Sequence, residues 1–434
     1  MSPGEVAAIL FGGFALLVIL RVPVAFALGL ACVPVFFLSD RLSPTLLFDQ
    51  MFVSYNSFIL LAVPFFLLAA NLMNSAGITQ RLVELSKALV GHLPGGLGHI
   101  NVMVSMLFAG ISGSSTADAA GIGSLLIPQM KKQGYDSSFS VAITACSSVM
   151  GVIIPPSILM VVWGGLMSVS IGGLFLAGVL PGLLIGLSLM ALVYVYAIRR
   201  GYPVYARSTA PELGRALASA ALPMMTPLII VGGIVGGFFT PTEASVVAVL
   251  YALTLGLFVY RTVTLRTLPI VLYDSARFAA IALFCIGTAS AFGWILAFFQ
   301  IPKSLVAVMA TWGSGPIETG LLIAAAFLIV GMFIDAIPAI IILGTVLLPV
   351  AEAAGIHPIH FAIIGVVSLA FGLITPPYGL CLLIAASVGQ IKLVHALKDV
   401  CIILLPMLGV LLFVIVFPEA ILALPRWVMP KFIG

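Results

Sequence analysis

Apolar runs of roughly 20 residues recur along the whole chain between short polar segments, each long enough to cross about 30 Å of hydrocarbon as a helix. The pattern predicts spans at 6–20 and 23–38 with a turn at Arg21, a polar loop over 39–50, and a third span at 51–73. Residues 78–90 place Arg81, Glu84 and Lys87 among apolar positions at helical spacing, which reads as an amphipathic helix lying at the interface. Next come a re-entrant hairpin at about 100–131, a broken span at about 138–170, and a crossing at 174–198 that ends in the basic segment 199–215. Two crossings fill 218–260 around a tip at 239–244, and another occupies 278–300. An interfacial segment at 301–310, a second hairpin at about 320–354, a second broken span at about 359–390 and a last crossing at 402–417 complete the chain.

The breaks carry the most information. One apolar run stops at Ser112, Gly113, Ser114, Ser115 and Thr116, and another breaks between Gly151 and Pro156. Irregular backbone survives in hydrocarbon only where it is buried in protein or lines a polar cavity, since each unpartnered amide or carbonyl costs several kcal/mol. The design recurs in register: Pro128, Gly134, Ser147, Gly151, Pro155 and Pro156 are matched 221 positions on by Pro349, Gly355, Ser368, Gly372, Pro376 and Pro377. The expected architecture is an all-α polytopic membrane protein, 1–434 as one integral membrane domain, with inverted repeats at 51–200 and 275–399. Each repeat holds one hairpin and one broken helix, as in secondary transporters whose broken helices meet near the midplane.

Composition agrees: 62% of residues are hydrophobic and 7% charged, against about 25% charged in soluble domains. The net charge of +4 comes from basic residues scattered at span ends, which argues against a nucleic-acid partner and assigns sides instead. With inverted repeats, of the 18 Lys and Arg only Arg41, Lys303, Arg426 and Lys431 fall opposite Lys131. The positive-inside rule then puts the mouth of the first hairpin in the cytoplasm and both termini outside. The five cysteines sit in apolar runs without paired spacing and read as buried free thiols.

Sodium, a hard cation, prefers oxygen ligands. Ser112, Ser114 and the carbonyls around Gly151, Ile153 and Pro156 supply one candidate cage; Asp335 with carbonyls around Gly372, Ile374 and Thr375 supplies its pseudo-symmetric counterpart. Carboxylates in apolar sequence are functional candidates by default, which singles out Asp118 and Asp335. Asp118 also has the capping-box spacing from Ser115, so cap and ion roles both stand, whereas Asp335 lacks that alternative and is favoured for the ion. Glu243 in FFTPTEA reads as a helix-start carboxylate, His357 and His360 as solvated, and Trp163, Trp294 and Trp427 as interface anchors. No phosphate loop, nucleophile elbow or two-histidine zinc motif is present in the sequence.

The stretches GISGSSTADAAGIGSLLIPQMKKQGY, GVIIPPSI, FFTPTEA, GMFID, LLPVAEAAGIHPIHFAII and GLITPPYG resemble the large membrane subunit of tripartite ATP-independent periplasmic (TRAP) transporters over nearly the whole chain. The resemblance implies a sodium-coupled, elevator-type importer of organic acids such as C4-dicarboxylates, sialic acid or other sugar acids, in a bacterial inner membrane. It also implies two partners, a small membrane subunit and a periplasmic substrate-binding protein. Carried over, it puts the first sodium site on Ser112, Ser114, Gly151, Ile153 and Pro156 and the second on Asp335 and the turn from Gly372 to Pro377. A substrate carboxylate is then expected at half-helix amino ends and hydroxyls, with Ser115, Thr116, Asp118, Ser157 and Pro376 as candidates. Ser368, where the family more often has Asn, and the bulky Tyr378 depart from its pattern. The competing readings are a stand-alone ion-coupled anion transporter or exchanger, with Asp335 carrying a proton, and an intramembrane enzyme pairing Asp118 with Asp335.

Overall fold

The computed structural model describes residues 2–39, 42–310 and 315–430, and all its regular secondary structure is helical. Arg41 and Lys431, used above to assign sides, lie outside the described residues. The chain opens with α1 (Pro3–Ile19), α2 (Val24–Leu38), α3 (Thr45–Tyr55), α4 (Ala62–Ser75) and the amphipathic α5 (Ile78–Val90). The first hairpin is α6 (Gly96–Ser112) and α7 (Ser115–Lys132); the first broken helix is α8 (Ser137–Ser148) and α9 (Ile158–Met167), followed by α10 (Ile171–Arg200). Then come α11 (Ala210–Val235), α12 (Pro241–Thr254), α13 (Leu268–Phe298) and α14 (Ile301–Ala310). The second hairpin is α15 (Pro316–Gly331) against α16 (Ala336–Ala339) and α17 (Thr345–Ala353), which a π turn at Ile340–Gly344 joins. The second broken helix is α18 (Pro358–Gly372) and α19 (Leu380–Gly389), and α20 (Leu393–Val416) and α21 (Pro418–Val428) close the chain.

Sequence explains most of these limits. Ser2 with Glu5, Thr209 with Glu212, and Thr240 with Glu243 form capping boxes that satisfy orphan amides at the starts of α1, α11 and α12, so Glu243 is a helix-start residue. Both broken helices part at paired prolines, and both Pro155–Pro156 and Pro376–Pro377 bonds are cis. Pro removes an amide and clashes with the carbonyl four residues back, so neither helix continues.

The third span is not straight. It breaks after Tyr55, and α3 meets the following helical segment at 70°. The Thr242 hydroxyl donates to Phe58 O at 2.8 Å, satisfying a carbonyl at the bend, and Tyr55 wedges its hydroxyl against α13 where a Cβ at Gly287 would fall 2.1 Å away. The same place in the second repeat is the unbroken α13, so the repeats differ here. The amphipathic α21 was also not anticipated.

The helices sort into two packed groups. α1, α2, α3, α4, α12 and α13 pack on one another as a frame, while α6 to α10 and α15 to α20 interlock, with α19 on α7 and α8, and α20 on α8 and α10. Trp163, expected at an interface, is fully buried between Phe327 and Phe361 and joins the two repeats. His360 is buried and bonded to Val414 O rather than solvated, and Cys401 is exposed, whereas the other four cysteines are buried.

A polar clasp ties the ends of the interlocked group. Arg200 bridges Asp136 at 2.7 Å and the buried Asp399 at 3.0 Å, and Asp399 also accepts from Ser138 and Tyr196. Lys131, in the last turn of α7, donates to Gly389 O at 3.0 Å, where a cation suits the carboxyl end of α19. Replacing Asp399 by Ala strips a half-buried guanidinium of its inner partner, and the expected cost is on the order of 2 kcal/mol, reduced from a fully buried pair because Arg200 reaches solvent. A drop in thermal unfolding midpoint checks this; an unchanged midpoint would leave the clasp without a stabilising role.

Candidate functional site

A cavity of about 300 Å³ lies where the two groups meet. The first hairpin tip contributes Gly113 to Thr116, the second contributes Asp335 to Pro338, and the broken helices add Val152, Ile158 and Leu373. The frame closes it with Val24 of α2, Val63 and Leu67 of α4, and Phe278, Ile281 and Cys285 of α13. Asp335 is its one ionisable carboxylate, and no Lys, Arg or His lines it among the described residues.

The tips are built alike. Ser114 caps α7, accepting from Ala117 N, and Asp335 caps α16, accepting from Ala336 N at 2.7 Å; the two positions are 221 apart, the repeat's own register. Asp335 is therefore the counterpart of Ser114, not of Asp118. Each tip is tied to its broken helix by one backbone bond beside the prolines: Ile158 N donates to Gly113 O at 3.2 Å, and Tyr378 N to Met332 O at 3.1 Å.

Asp118 takes neither part of a capping box. The cap is Ser114, and Asp118 sits in the first turn of α7, fully buried, accepting through Oδ1 from the Ser112 hydroxyl. Its Oδ2 has no hydrogen-bond partner. Gly151 leaves room for that oxygen: a Cβ there would fall 2.5 Å from Asp118 Oδ2 and 2.9 Å from the Ser114 carbonyl carbon. Pro156 O stands at the same tip, 2.9 Å from where a Cβ on Gly113 would lie. Ser112, Ser114, Asp118, Gly151 and Pro156 thus converge, whereas the Ile153 carbonyl turns to α10, 2.4 Å from the Cβ position of Gly178.

An unpartnered, fully buried carboxylate oxygen carries a large desolvation cost, which a cation or a proton removes. The hydroxyls of Ser112 and Ser114 and the Pro156 carbonyl brought to the same tip are oxygen ligands, the kind a hard cation prefers, so these residues fit sodium. The second turn is more self-contained. Gly372 O accepts from Thr375 N, Leu373 O from Cys381 N, and the Thr375 hydroxyl donates to Phe371 O at 2.7 Å. Gly372 packs on the Gly331 backbone, Ile374 is buried, Pro377 is exposed, and Asp335 opens to the cavity.

Of the substrate candidates, Ser115 and Thr116 line the cavity, with Thr116 Oγ1 3.1 Å from Ser114 Oγ. Asp118 and Pro376 are not among its lining residues, and neither is Ser157, which is buried and spends its hydroxyl on Val152 O and Met160 N. The frame's share of the wall, from α2, α4 and α13, was not anticipated. Those helices are predominantly apolar, and the spacing of their apolar positions does not mark a cavity face apart from a lipid face.

The chain's residues 11–420 match the family model described as "Tripartite ATP-independent periplasmic transporter, DctM component". It is 40% identical over 93% of its length, and 95% of the relative's, to the sialic acid TRAP transporter large permease protein SiaM of Vibrio cholerae. It is 38% identical to the C4-dicarboxylate TRAP transporter large permease protein DctM of Pseudomonas aeruginosa, over 87% of this chain and 88% of that one. Among solved structures, the Alcanivorax borkumensis YdaH transporter, described as having an unusual topology, superposes with a TM-score of 0.61 over 86% of this chain and 88% of its own at 14% identity, a likeness of fold. These relatives are transport proteins and not enzymes, and the chain belongs to the DctM component family of tripartite ATP-independent periplasmic transporters.

Proposed function

We propose that this multi-pass protein is the large subunit of a sodium-coupled importer of organic acids, working with a small membrane subunit and a periplasmic substrate-binding protein in a bacterial inner membrane, both termini outward. The observation that carries the ion coupling is the orphan Asp118 Oδ2, buried beside Gly151 and the Ser114 backbone behind the cavity wall formed by Gly113 to Thr116. The cargo class is taken from relatives whose names specify sialic acid and C4-dicarboxylates. A cavity holding one carboxylate and no cationic side chain repels an organic anion unless positive charge enters with it. Sodium at the first tip supplies that charge and stiffens the start of α7 with its cap Ser114, so that the hydroxyls of Ser114, Ser115 and Thr116 and the helix's amino end then meet the cargo carboxylate. The turn from Gly372 to Pro377, with Asp335, forms the second cation site.

The interlocked hairpins and broken helices are proposed to move as one body past the frame, carrying the cavity from one side of the membrane to the other. The test is uptake into proteoliposomes holding this chain and its small subunit, with and without the binding protein and an inward sodium gradient. Uptake should need both, and Ser114→Ala should raise the sodium concentration for half-maximal rate about tenfold, the loss of roughly one ligand. Uptake without the binding protein, driven by protons and indifferent to sodium, would favour a stand-alone exchanger in which a carboxylate carries the proton.

A further inference from the structure

A groove of about 870 Å³, separate from the transport cavity, opens between the amphipathic α5, the start of α11 and the linker joining α10 to α11. Lys87, Arg207 and Arg215 line it beside the hydroxyls of Ser208 and Ser219. None of the three cations makes an ion pair among the described residues. Two carboxylates share the groove, but Glu212 is committed to capping α11 through Thr209 N at 2.8 Å, which leaves Glu84 as the one opposing charge without that duty. The Lys87 ammonium rests 4.8 Å over the Tyr205 ring. Tyr205 is itself fixed, its amide donating to Gly91 O at 3.2 Å and its hydroxyl bonding Gln133 beyond the end of α7. The chain around the groove is basic: Lys131 and Lys132 directly precede Gln133, and Arg199 and Arg200 directly precede the linker.

Apolar side chains stand exposed beside the lining residues in sequence: Leu89 after Ala88, Val204 before Tyr205 and Leu217 after Ala216. Free phosphate has no use for such surface, whereas a lipid's acyl chains do. The amphipathic pattern of α5 suits a helix lying at the interface, which puts the groove at headgroup depth, where each basic residue contributes about 1 kcal/mol towards anionic lipid.

We infer that this groove is a binding site for the phosphate headgroup of an anionic glycerophospholipid, with its acyl chains lying along Leu89, Val204 and Leu217. The site couples the linker after the first repeat to α5, and so to the boundary between the interlocked group and the frame. The test is the thermal unfolding midpoint of the purified transporter with its small subunit, titrated with phosphatidylglycerol, phosphatidylcholine or inorganic phosphate. Wild type is compared with Lys87→Gln, Arg207→Gln and Arg215→Gln combined, and with a control carrying Arg261→Gln, Arg266→Gln and Arg277→Gln outside the groove. Phosphatidylglycerol should raise the midpoint of wild type and control by several degrees and that of the groove variant far less, with the other two additives inert. Arg207→Gln alone, on the exposed linker, reads a partial loss should the triple variant fail to fold. An equal response in every variant overturns the assignment. A shift reproduced by inorganic phosphate makes it a free-anion site, and loss of the small subunit from the groove variant with the lipid response intact makes it a protein interface.

Discussion

Replacing Asp118 by Asn is expected to abolish sodium-driven uptake while leaving the protein folded. The substitution keeps the shape and an acceptor for the Ser112 hydroxyl, so the hairpin tip retains its internal bond. It removes the negative charge from a site whose other nearby groups, the Ser112 hydroxyl and the backbone of Ser114 and Gly151, are neutral. Losing one partner of a buried ion contact costs about 3 kcal/mol, or roughly a 100-fold weaker cation site, beyond what a cellular sodium gradient offsets. Gly151→Ala should act on the same pocket by filling it, because its Cβ would lie 2.5 Å from Asp118 Oδ2 and the neighbouring Ser114 backbone blocks retreat. Initial uptake rates against sodium concentration check both; an Asn variant with unchanged sodium dependence would remove Asp118 from the ion site.

The second large effect is expected at Gly372. A Cβ there would fall 2.6 Å from the carbonyl carbon and 2.7 Å from the Cα of Gly331, so two backbones meet where α15 ends against α18. Backbone atoms have no rotamer to change, and Gly372→Ala must therefore push the second hairpin off its broken helix. Overpacking of this kind costs about 1–3 kcal/mol, and here it also displaces Met332, whose carbonyl holds Tyr378 N. A fall in unfolding midpoint together with lost uptake is the expected result. Gly12→Ala is the control: nothing lies within 4 Å of its Cβ, so the change should be neutral or stabilise α1 slightly. Equal behaviour of the two variants would contradict the close-packed hairpin.

Much of this was legible in the chain because the informative residues are those whose backbone chemistry is restrictive. Paired prolines, glycines and serines interrupting apolar runs marked both hairpins and both broken helices, and the 221-residue register linked them. The bend after Tyr55 was hidden, since Asn56, Ser57 and Phe58 interrupt an apolar run only mildly and the room for Tyr55 is set by Gly287, far away in sequence. The two aspartates illustrate the limit most clearly. Sequence favoured Asp335 for the ion because Asp118 had a capping alternative, yet Asp335 is itself the cap and faces the cavity, while Asp118 is the buried one. Burial is a property of packing between distant elements, and composition along one helix does not carry it.

Sodium binding to the purified large and small subunits, measured directly with radioactive sodium at equilibrium in wild type and Asp118→Asn, tests the ion pocket without any transport step. Saturable binding in wild type that falls by about one ion per transporter in the variant is the predicted result. Identical sodium binding in the two proteins would contradict a cation site at the first hairpin tip.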